Sequence, residues 1–157
     1  MKSSKPNNTI STVERINRKR WWHKPPLEEN AYKKRGMFLA STFKNCEFYG
    51  RPLDVPIRVN IKNPLIGTDM DLIKPLFGDD SPQMQAVRYL TNTTSKDWVK
   101  VRFKLDADIA RAAKIKGYDA VVYVLENGME RIRQNMLPRD IELNVLYSHC
   151  QNLPVSF

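Results

Sequence analysis

The sequence predicts an α+β fold in one domain, and three local patterns carry this prediction. A segment with helical spacing runs to Gly117 and is followed at once by apolar residues typical of a buried strand. Two other segments, 55–61 and 141–147, alternate apolar and polar side chains with period two, as half-buried strands do. Asn127 and Gly128 form the dipeptide that type I′ β-hairpins prefer. Helices mixed with an antiparallel hairpin indicate α+β, and 157 residues fit one domain of ordinary size.

The helix–strand corner around Gly117 is the best defined of these patterns. Apolar residues before it recur at helical spacing, and Asp106 or Asp108 can cap the start of that helix. Gly117 supplies the left-handed residue that ends the helix. Tyr118 and Asp119 lie at the junction, where they either line a pocket or, as the spacing favours, pack against the core and cap the turn.

Charge and cysteine content bound the class of protein. The net charge is +9, and residues 1–35 hold ten Lys or Arg against three Glu, so the chain is expected to have an acidic partner, either nucleic acid or an acidic protein face. Cys46 and Cys150 are far apart, which disfavours a zinc site or a disulfide framework and indicates the cytoplasm. No apolar run of membrane-spanning length and no secretory signal occur in the sequence.

The N-terminal region divides into an arm and the start of the domain. Residues 1–14 are predicted to form a flexible basic arm, 15–147 the folded domain and 148–157 a loose tail. The basic segment at 15–24, RINRKRWWHK, contains two tryptophans. Its side chains either stack on bases and neutralise phosphates, or Trp21 and Trp22 begin the first core strand and the cations are solvated.

Turn and capping signals place the elements of the first half. They predict, in order, a loop or short helix at 27–35, a strand at Met37–Ala40, a helical turn at 43–49 and a half-buried strand at 55–61. Gly36 and Gly50 end two of these elements, and Ser41 or Thr42 can cap the helical turn. Asn63 with its following proline ends the last strand.

The second half follows the same logic. It predicts a loop-rich insertion at 66–80, a helix opening at Ser81 and Pro82, an extended segment at 98–105, a hairpin pairing 121–125 with 129–136, and a last strand at 141–147. The insertion carries four aspartates whose spacing does not match a calcium-binding loop, so they are expected to be solvated: Asp69, Asp71, Asp79 and Asp80. The neighbours His149 and Cys150 point opposite ways on a strand and make a poor catalytic pair.

Three segments in a fixed order resemble one known family. They are GMFLAST at 36–42, which runs on to FYG at 48–50, VNIKNPL at 59–65, and AKIKGYDAVVY at 113–123. Their content and order are similar to the small ADP-ribosyltransferase domains of phages and of bacterial polyvalent or toxin proteins. The resemblance covers about residues 18–147. It implies a split β-sandwich with short flanking helices, which binds NAD as a substrate in a cleft between two sheets.

The resemblance also implies roles for individual residues. In the family, a His or Arg on the first strand contacts the adenosine ribose, and His23 matches this position with Arg20 as the alternative. Ser41 and Thr42 match the hydroxyl residues that lie near the nicotinamide ribose. The family often stacks an aromatic ring close by. The aromatic candidates for NAD binding are Phe43, Tyr49 and Tyr118.

The catalytic glutamate is where this sequence departs from the family. The family places it shortly before an ending that MLPRDI at 136–141 matches, and no glutamate occurs at 132–134. Glu130 lies slightly upstream and Gln134 occupies the slot itself, so Glu130 is the catalytic candidate with Gln134 supporting or replacing it. A carboxylate stabilises the cationic ribose as nicotinamide leaves, which an amide cannot do by charge.

Two functions follow. The first is a mono-ADP-ribosyltransferase, a phage effector that acts in the host cytoplasm on a host protein or nucleic acid. The alternative is a basic nucleic-acid- or protein-binding module on a degenerate transferase scaffold, without NAD turnover.

Overall fold

The computed structural model describes residues 11–24, 31–47 and 55–146. These residues form a mixed α+β fold, as predicted. The helices are α1 (Thr12–Arg18), α2 (Ala31–Arg35), α3 (Phe43–Glu47), α4 (Asp69–Phe77), α5 (Pro82–Asn92), α6 (Trp98–Ile115) and α7 (Met129–Arg133). The strands are β1 (Trp22–His23), β2 (Met37–Ala40), β3 (Pro64–Gly67), β4 (Ala120–Val124) and β5 (Ile141–Val145). A 3₁₀ turn, Glu126–Gly128, precedes α7.

The strands form one sheet in the order β1-β2-β5-β4-β3. β3 and β4 are parallel, and the other neighbours are antiparallel. A parallel pair cannot be joined by a tight turn, so the chain crosses over through α4, α5 and α6 between β3 and β4. Two of the strands that carry motif residues, β2 and β4, lie on either side of β5.

Each face of the sheet packs against its own hydrophobic cluster. Val122 and Leu143 point to the side covered by α1 and the 55–61 segment, where Trp21 and Ile16 are fully buried. Val121 points to the other side, into the cluster formed with α4, α5 and α6. The alternation of Val121 and Val122 between two cores is why β4 is apolar along its whole length.

Several sequence predictions are confirmed. α2, β2, α3, α5, the helix–strand corner and β5 all lie where the patterns place them. Gly117 has φ +93° and ends α6, as its position predicts. Trp21 is fully buried and its Nε1 donates to the carbonyl of Ile16 at 2.9 Å, so the structural interpretation of the tryptophan pair is correct for Trp21. α1 begins at Thr12, inside the segment predicted as an arm, with Ser11 as its N-cap.

The strand predicted at 55–61 is wrong. Its burial does alternate, with Ile57 and Ile61 buried and Arg58 exposed, but among the described residues only Ile57 forms a β-bridge, to Trp21. The segment has no regular secondary structure, yet its side chains at Ile57, Val59 and Ile61 pack into the same hydrophobic core. Period-two burial therefore arose here without a ladder of backbone hydrogen bonds.

The loop-rich insertion predicted at 66–80 is also wrong. It holds the end of β3 and all of α4. Thr68 caps α4, and its hydroxyl accepts from the amide of Asp71 while the Asp71 carboxylate accepts from the amide of Thr68. Leu72 and Ile73 are fully buried, so the apolar patch is the core face of this helix.

The extended segment predicted at 98–105 is the first half of α6. Its alternating apolar residues do not report burial, because Val99 and Phe103 are exposed. Asp106 and Asp108 consequently lie inside the helix and do not cap it. Two ion pairs have the i,i+4 spacing of a helix: Arg102 pairs with Asp106, and Lys104 pairs with Asp108.

The hairpin predicted around Asn127 does not form. β4 already has β3 on one edge and β5 on the other, so no edge is free for the 129–136 segment. Gly128 has φ −89° and is buried, and a Cβ there would lie 2.9 Å from Pro138. Close packing, and not a left-handed turn, explains the glycine.

No helix in the described part of the chain is long and apolar enough to cross a membrane. The predictions on Tyr49, His149, Cys150 and the 148–157 tail lie outside the described residues.

Candidate functional site

A large cleft of about 1560 Å³ opens over the β2, β5 and β4 region of the sheet. Its floor includes Phe38 and Tyr123, whose rings are 5.8 Å apart and tilted by 34°. Its walls come from α2, α3, α4, the first half of α6 and α7. On this part of the sheet the half-buried strand side chains Phe38, Tyr123 and Glu142 line the cleft.

Charged side chains of both signs line the cleft. The cations are Lys24, Arg35, Lys44, Lys74, Arg102 and Arg133. The carboxylates are Asp69, Asp71, Asp106, Glu126, Asp140 and Glu142. A ligand bound here meets an aromatic floor and charges of both signs, which suits a molecule that carries both rings and charged groups.

A four-residue network holds the inner wall together. Arg102 donates to Asp106 from Nε at 3.0 Å and from a terminal nitrogen at 2.7 Å. Its other terminal nitrogen donates to Asp69 at 2.9 Å. The hydroxyl of Tyr123 donates to the same Asp106 oxygen at 3.3 Å, and Arg102 lies 5.4 Å from the Tyr123 ring. The network therefore ties α4, α6 and β4 together.

The buried position of the network shifts its proton affinities. Burial raises the pKa of Asp106, which is 6% exposed, and the neighbouring guanidinium of Arg102 opposes this shift only in part. Burial and the Asp106 carboxylate raise the pKa of Tyr123 well above 10. Burial disfavours the charge of Arg102, but Asp106 and Asp69 outweigh it and raise the pKa of Arg102. One cation with two carboxylates leaves this wall with an excess of negative charge.

Glu142 projects from the middle strand of the cleft floor. It lies directly across from Ala40 on β2 and from Tyr123 on β4. The Glu142 charge contributes to the raised pKa of Tyr123, after burial and the charge of Asp106. Ile141 and Leu143 on either side of it are buried in the opposite core, so the strand alternation alone directs Glu142 into the cleft.

His23 lines the other end of the cleft and is 3% exposed. Its Nδ1 lies 2.9 Å from the carbonyl oxygen of Phe38, which can only accept, so Nδ1 carries the proton. Nε2 lies 2.6 Å from the hydroxyl of Tyr32, which donates to it. Burial lowers the pKa of His23, and the charge of Lys24 lowers it further, while the Phe38 hydrogen bond acts in the opposite direction.

The free energy of unfolding is expected to fall below pH 6.5, the ordinary pKa of histidine. There the unfolded chain binds a proton that the folded His23 still resists, so each pH unit removes at most about 1.4 kcal/mol. Urea unfolding of the wild type and of His23→Gln between pH 7.5 and pH 5.5 measures this effect, because the variant lacks the titrating group. The stability difference between the two proteins should shrink as the pH falls. Parallel curves would contradict the assignment.

Ser41 and Thr42 lie between two residues that line the cleft, Ala40 and Lys44. The Ser41 hydroxyl is buried and donates to the carbonyl of Arg139 at 2.6 Å. The Thr42 hydroxyl caps α3 by accepting from the amide of Asn45 at 3.0 Å. The predicted capping role is therefore confirmed for Thr42, and neither Ser41 nor Thr42 is itself part of the cleft lining.

The other candidate residues lie away from the cleft lining. Glu130 is on the outer side of α7, with a side chain 66% exposed, and it pairs with Arg133 at 3.2 Å. Gln134 donates to Glu130 at 3.3 Å, and Arg20 is exposed. Tyr118 packs against the helical core cluster.

The second and third motif segments meet at the helix–strand corner. The Asp119 carboxylate accepts from the amides of Lys62 at 2.7 Å and Asn63 at 2.9 Å. The Asn63 side chain donates to the carbonyl of Gly117 at 3.1 Å. The conformational role predicted for Asp119 is confirmed, and these motif residues explain how β3 is held beside β4.

Glu142 and the Arg102 network are the functional candidates that the sequence interpretation missed. Both had a signal. The period-two pattern that buries Ile141 and Leu143 places Glu142 on the opposite face. The four-residue spacing of Arg102 and Asp106 is typical of a helical ion pair.

No group of His, Cys, Asp or Glu side chains within 11–24, 31–47 and 55–146 could hold a metal ion. Comparison with protein-family models, with curated proteins and with solved structures finds no match to this chain.

Proposed function

We propose that the chain is a mono-ADP-ribosyltransferase that uses NAD as its substrate and modifies a macromolecule of a bacterial host, as a phage effector in the host cytoplasm. The observation that carries the proposal is the position of Glu142, a carboxylate on the floor of the cleft between the two motif strands β2 and β4. The motif resemblance suggests the family, and the cleft is where we propose that its reaction takes place.

The size and charge of the cleft suit a dinucleotide. Its volume exceeds the range of about 300–1000 Å³ that is common for drug-sized ligands, so both halves of NAD fit. Lys44 and Lys74 can neutralise the two phosphates. Phe38 and Tyr123 add an aromatic surface to the cleft floor, against which an aromatic base can pack.

Glu142 supplies the charge that the reaction needs. The bond between ribose C1′ and the nicotinamide nitrogen breaks, and its electron pair leaves with nicotinamide. The ribose becomes an oxocarbenium-like cation, which a carboxylate at the cleft floor stabilises. A nucleophile of the acceptor then bonds to C1′ and gives up its proton. We assign this role to Glu142 over Glu130, because the cleft lining includes Glu142 and not Glu130.

We further propose that the chain has the split β-sandwich fold of this family. The described residues supply one five-stranded sheet, where a split sandwich has two. In support, β2 and β4 carry two of the motif segments and flank the same strand, and the second segment is hydrogen-bonded to the third through Asp119. His23, proposed to contact the adenosine ribose, lines the same cleft.

Transfer of label from NAD tests the proposal directly. Incubation of the protein with NAD labelled in the adenylate half and a bacterial lysate should label a macromolecule and release nicotinamide in equal amount. Nuclease or protease treatment of the product identifies the acceptor class. If no label is transferred and NAD gives no thermal stabilisation, the transferase proposal is wrong.

The alternative is a binding module without NAD turnover, and one observation favours it. Both ring nitrogens of His23 and the hydroxyls of Ser41 and Thr42 are used in hydrogen bonds within the protein. A scaffold that has lost catalysis would keep such contacts for stability alone. Salt-dependent binding to nucleic acid or to an acidic protein, with intact NAD recovered, would favour this function.

A further inference from the structure

The first half of α6 exposes apolar side chains along the cleft wall. Trp98, Val99 and Phe103 are 41%, 38% and 46% exposed, and all three line the cleft. Further along the same helix, Leu105 and Ile109 are buried in the core. The second half of α6 therefore fixes the helix in the core, while its first half presents apolar side chains to solvent, which is a mark of an interaction site.

A cation is stacked on this apolar face. The guanidinium carbon of Arg35, on α2, lies 4.2 Å from the centre of the Phe103 ring. α2 packs against α6, so the two helices form one continuous lip of the cleft. This guanidinium places a positive charge beside an exposed aromatic ring, so the same ligand can meet both.

The surroundings of the lip are strongly basic. Segments 31–35 and 96–104 together contain seven Lys or Arg and one acidic residue, Asp97. Two of these cations, Arg102 and Lys104, are neutralised by aspartates of α4 and α6. Lys96 and Lys100 are exposed, and neither forms an ion pair within the described ranges.

We propose that this aromatic–basic lip, formed by Arg35, Trp98, Lys100 and Phe103, binds single-stranded nucleic acid and presents it to the cleft as the acceptor of ADP-ribose. The acceptor role rests on the proposed function, whereas the binding does not. Bases stack on the two rings, and the cations neutralise the backbone phosphates. A single strand fits because its base faces are free, whereas a duplex keeps them stacked. A purely apolar protein partner would leave the cations without counter-charges.

Binding of a short fluorescent single strand, measured by anisotropy without NAD, tests the inference. The logarithm of the association constant should fall with the logarithm of salt concentration, by about 0.7 for each phosphate neutralised. Trp98→Ala and Phe103→Ala should each weaken binding by about fivefold or more, and Trp98→Phe should restore most of it. These side chains are exposed, so the variants are expected to fold.

Two matched controls lie outside the lip. Tyr89 is 38% exposed on α5 and does not line the cleft, so Tyr89→Ala should bind the strand as the wild type does. Lys116 is exposed at the far end of α6, and Lys116→Ala should weaken binding less than Lys100→Ala. This pair separates contacts at the lip from the effect of net charge.

Three outcomes would overturn the inference. They are no binding at low salt, equal binding by the Trp98 and Tyr89 variants, and a duplex bound as tightly as a single strand. If the transfer assay labels a protein and leaves the nucleic acid unlabelled, nucleic acid is not the acceptor. NAD cleavage measured without the strand reports on the proposed function alone, so the two failures are distinguishable.

Discussion

Replacing Glu142 with glutamine is expected to reduce ADP-ribose transfer by about two to three orders of magnitude while the fold survives. Glutamine has the same shape and keeps a hydrogen-bonding oxygen, but it removes the negative charge that we propose to stabilise the developing oxocarbenium ion. Since the charge acts in the transition state, NAD binding should change far less than the rate. Nicotinamide release and label transfer measure the rate, and thermal stabilisation by NAD measures binding.

The same substitution at Glu130 decides between the two candidate carboxylates. Glu130 and Glu142 belong to neighbouring elements, yet only Glu142 lines the cleft. We expect Glu130→Gln to keep most of the activity, because the Glu130 side chain is 66% exposed outside the cleft lining and pairs only with its α7 neighbours Arg133 and Gln134 in the described structure. Loss of activity in Glu130→Gln with a fully active Glu142→Gln would reverse the assignment and favour the prediction made from the motif spacing.

Local signals predicted the elements whose ends are encoded in neighbouring residues. Gly117 ends α6, Ser81 caps α5, and Thr42 caps α3, each through a contact within a few residues of the chain. Such contacts depend on side-chain chemistry at a fixed short spacing, so a single sequence is enough to find them.

The elements that sequence patterns missed depend on distant partners. The 129–136 segment carries a good hairpin signal, but β4 had both edges filled by β3 and β5 from other parts of the chain. The 55–61 segment alternates correctly and still forms no strand, because only Ile57 reaches a partner. In both cases tertiary pairing overrode a local preference.

The candidate site was predictable only in part, because it too depends on contacts between distant parts of the chain. His23 was found from a resemblance and does line the cleft. Glu142 was not predicted, because the motif spacing places the catalytic residue at 130–134. The alternating pattern at 141–145 places Glu142 on the face opposite Ile141 and Leu143. That this face lines a cleft becomes visible only once the neighbouring strands and helices are in place. The half-buried pairing of Arg102 with Asp69 joins two helices and has no local signature.

Gly36→Ala is expected to destabilise the fold by about 3–5 kcal/mol, a large share of a typical domain's stability. Gly36 has φ +84°, and a Cβ there would lie 2.1 Å from the Asn144 Oδ1 and 2.8 Å from the carbonyl oxygen of Val145. Asn144 is fully buried, and its side-chain nitrogen donates to the carbonyl of Arg35. Making room for the methyl group therefore strains the backbone, breaks this hydrogen bond and shifts β5.

Gly117→Ala is the matched control for backbone strain alone. Gly117 has φ +93°, and a Cβ there would meet nothing within 4 Å, so this substitution should cost only about 1–2 kcal/mol. Adding Asn144→Ala to Gly36→Ala removes the closer of the two clashes and should recover part of the loss, giving a coupling that a double-mutant cycle in urea measures. Equal destabilisation by Gly36→Ala and Gly117→Ala would mean that β2 and β5 do not approach as closely as their register implies. Because Glu142 lies two residues from Asn144 on β5, loss of this packing would also displace the carboxylate at the cleft floor, so transfer activity should fall together with stability.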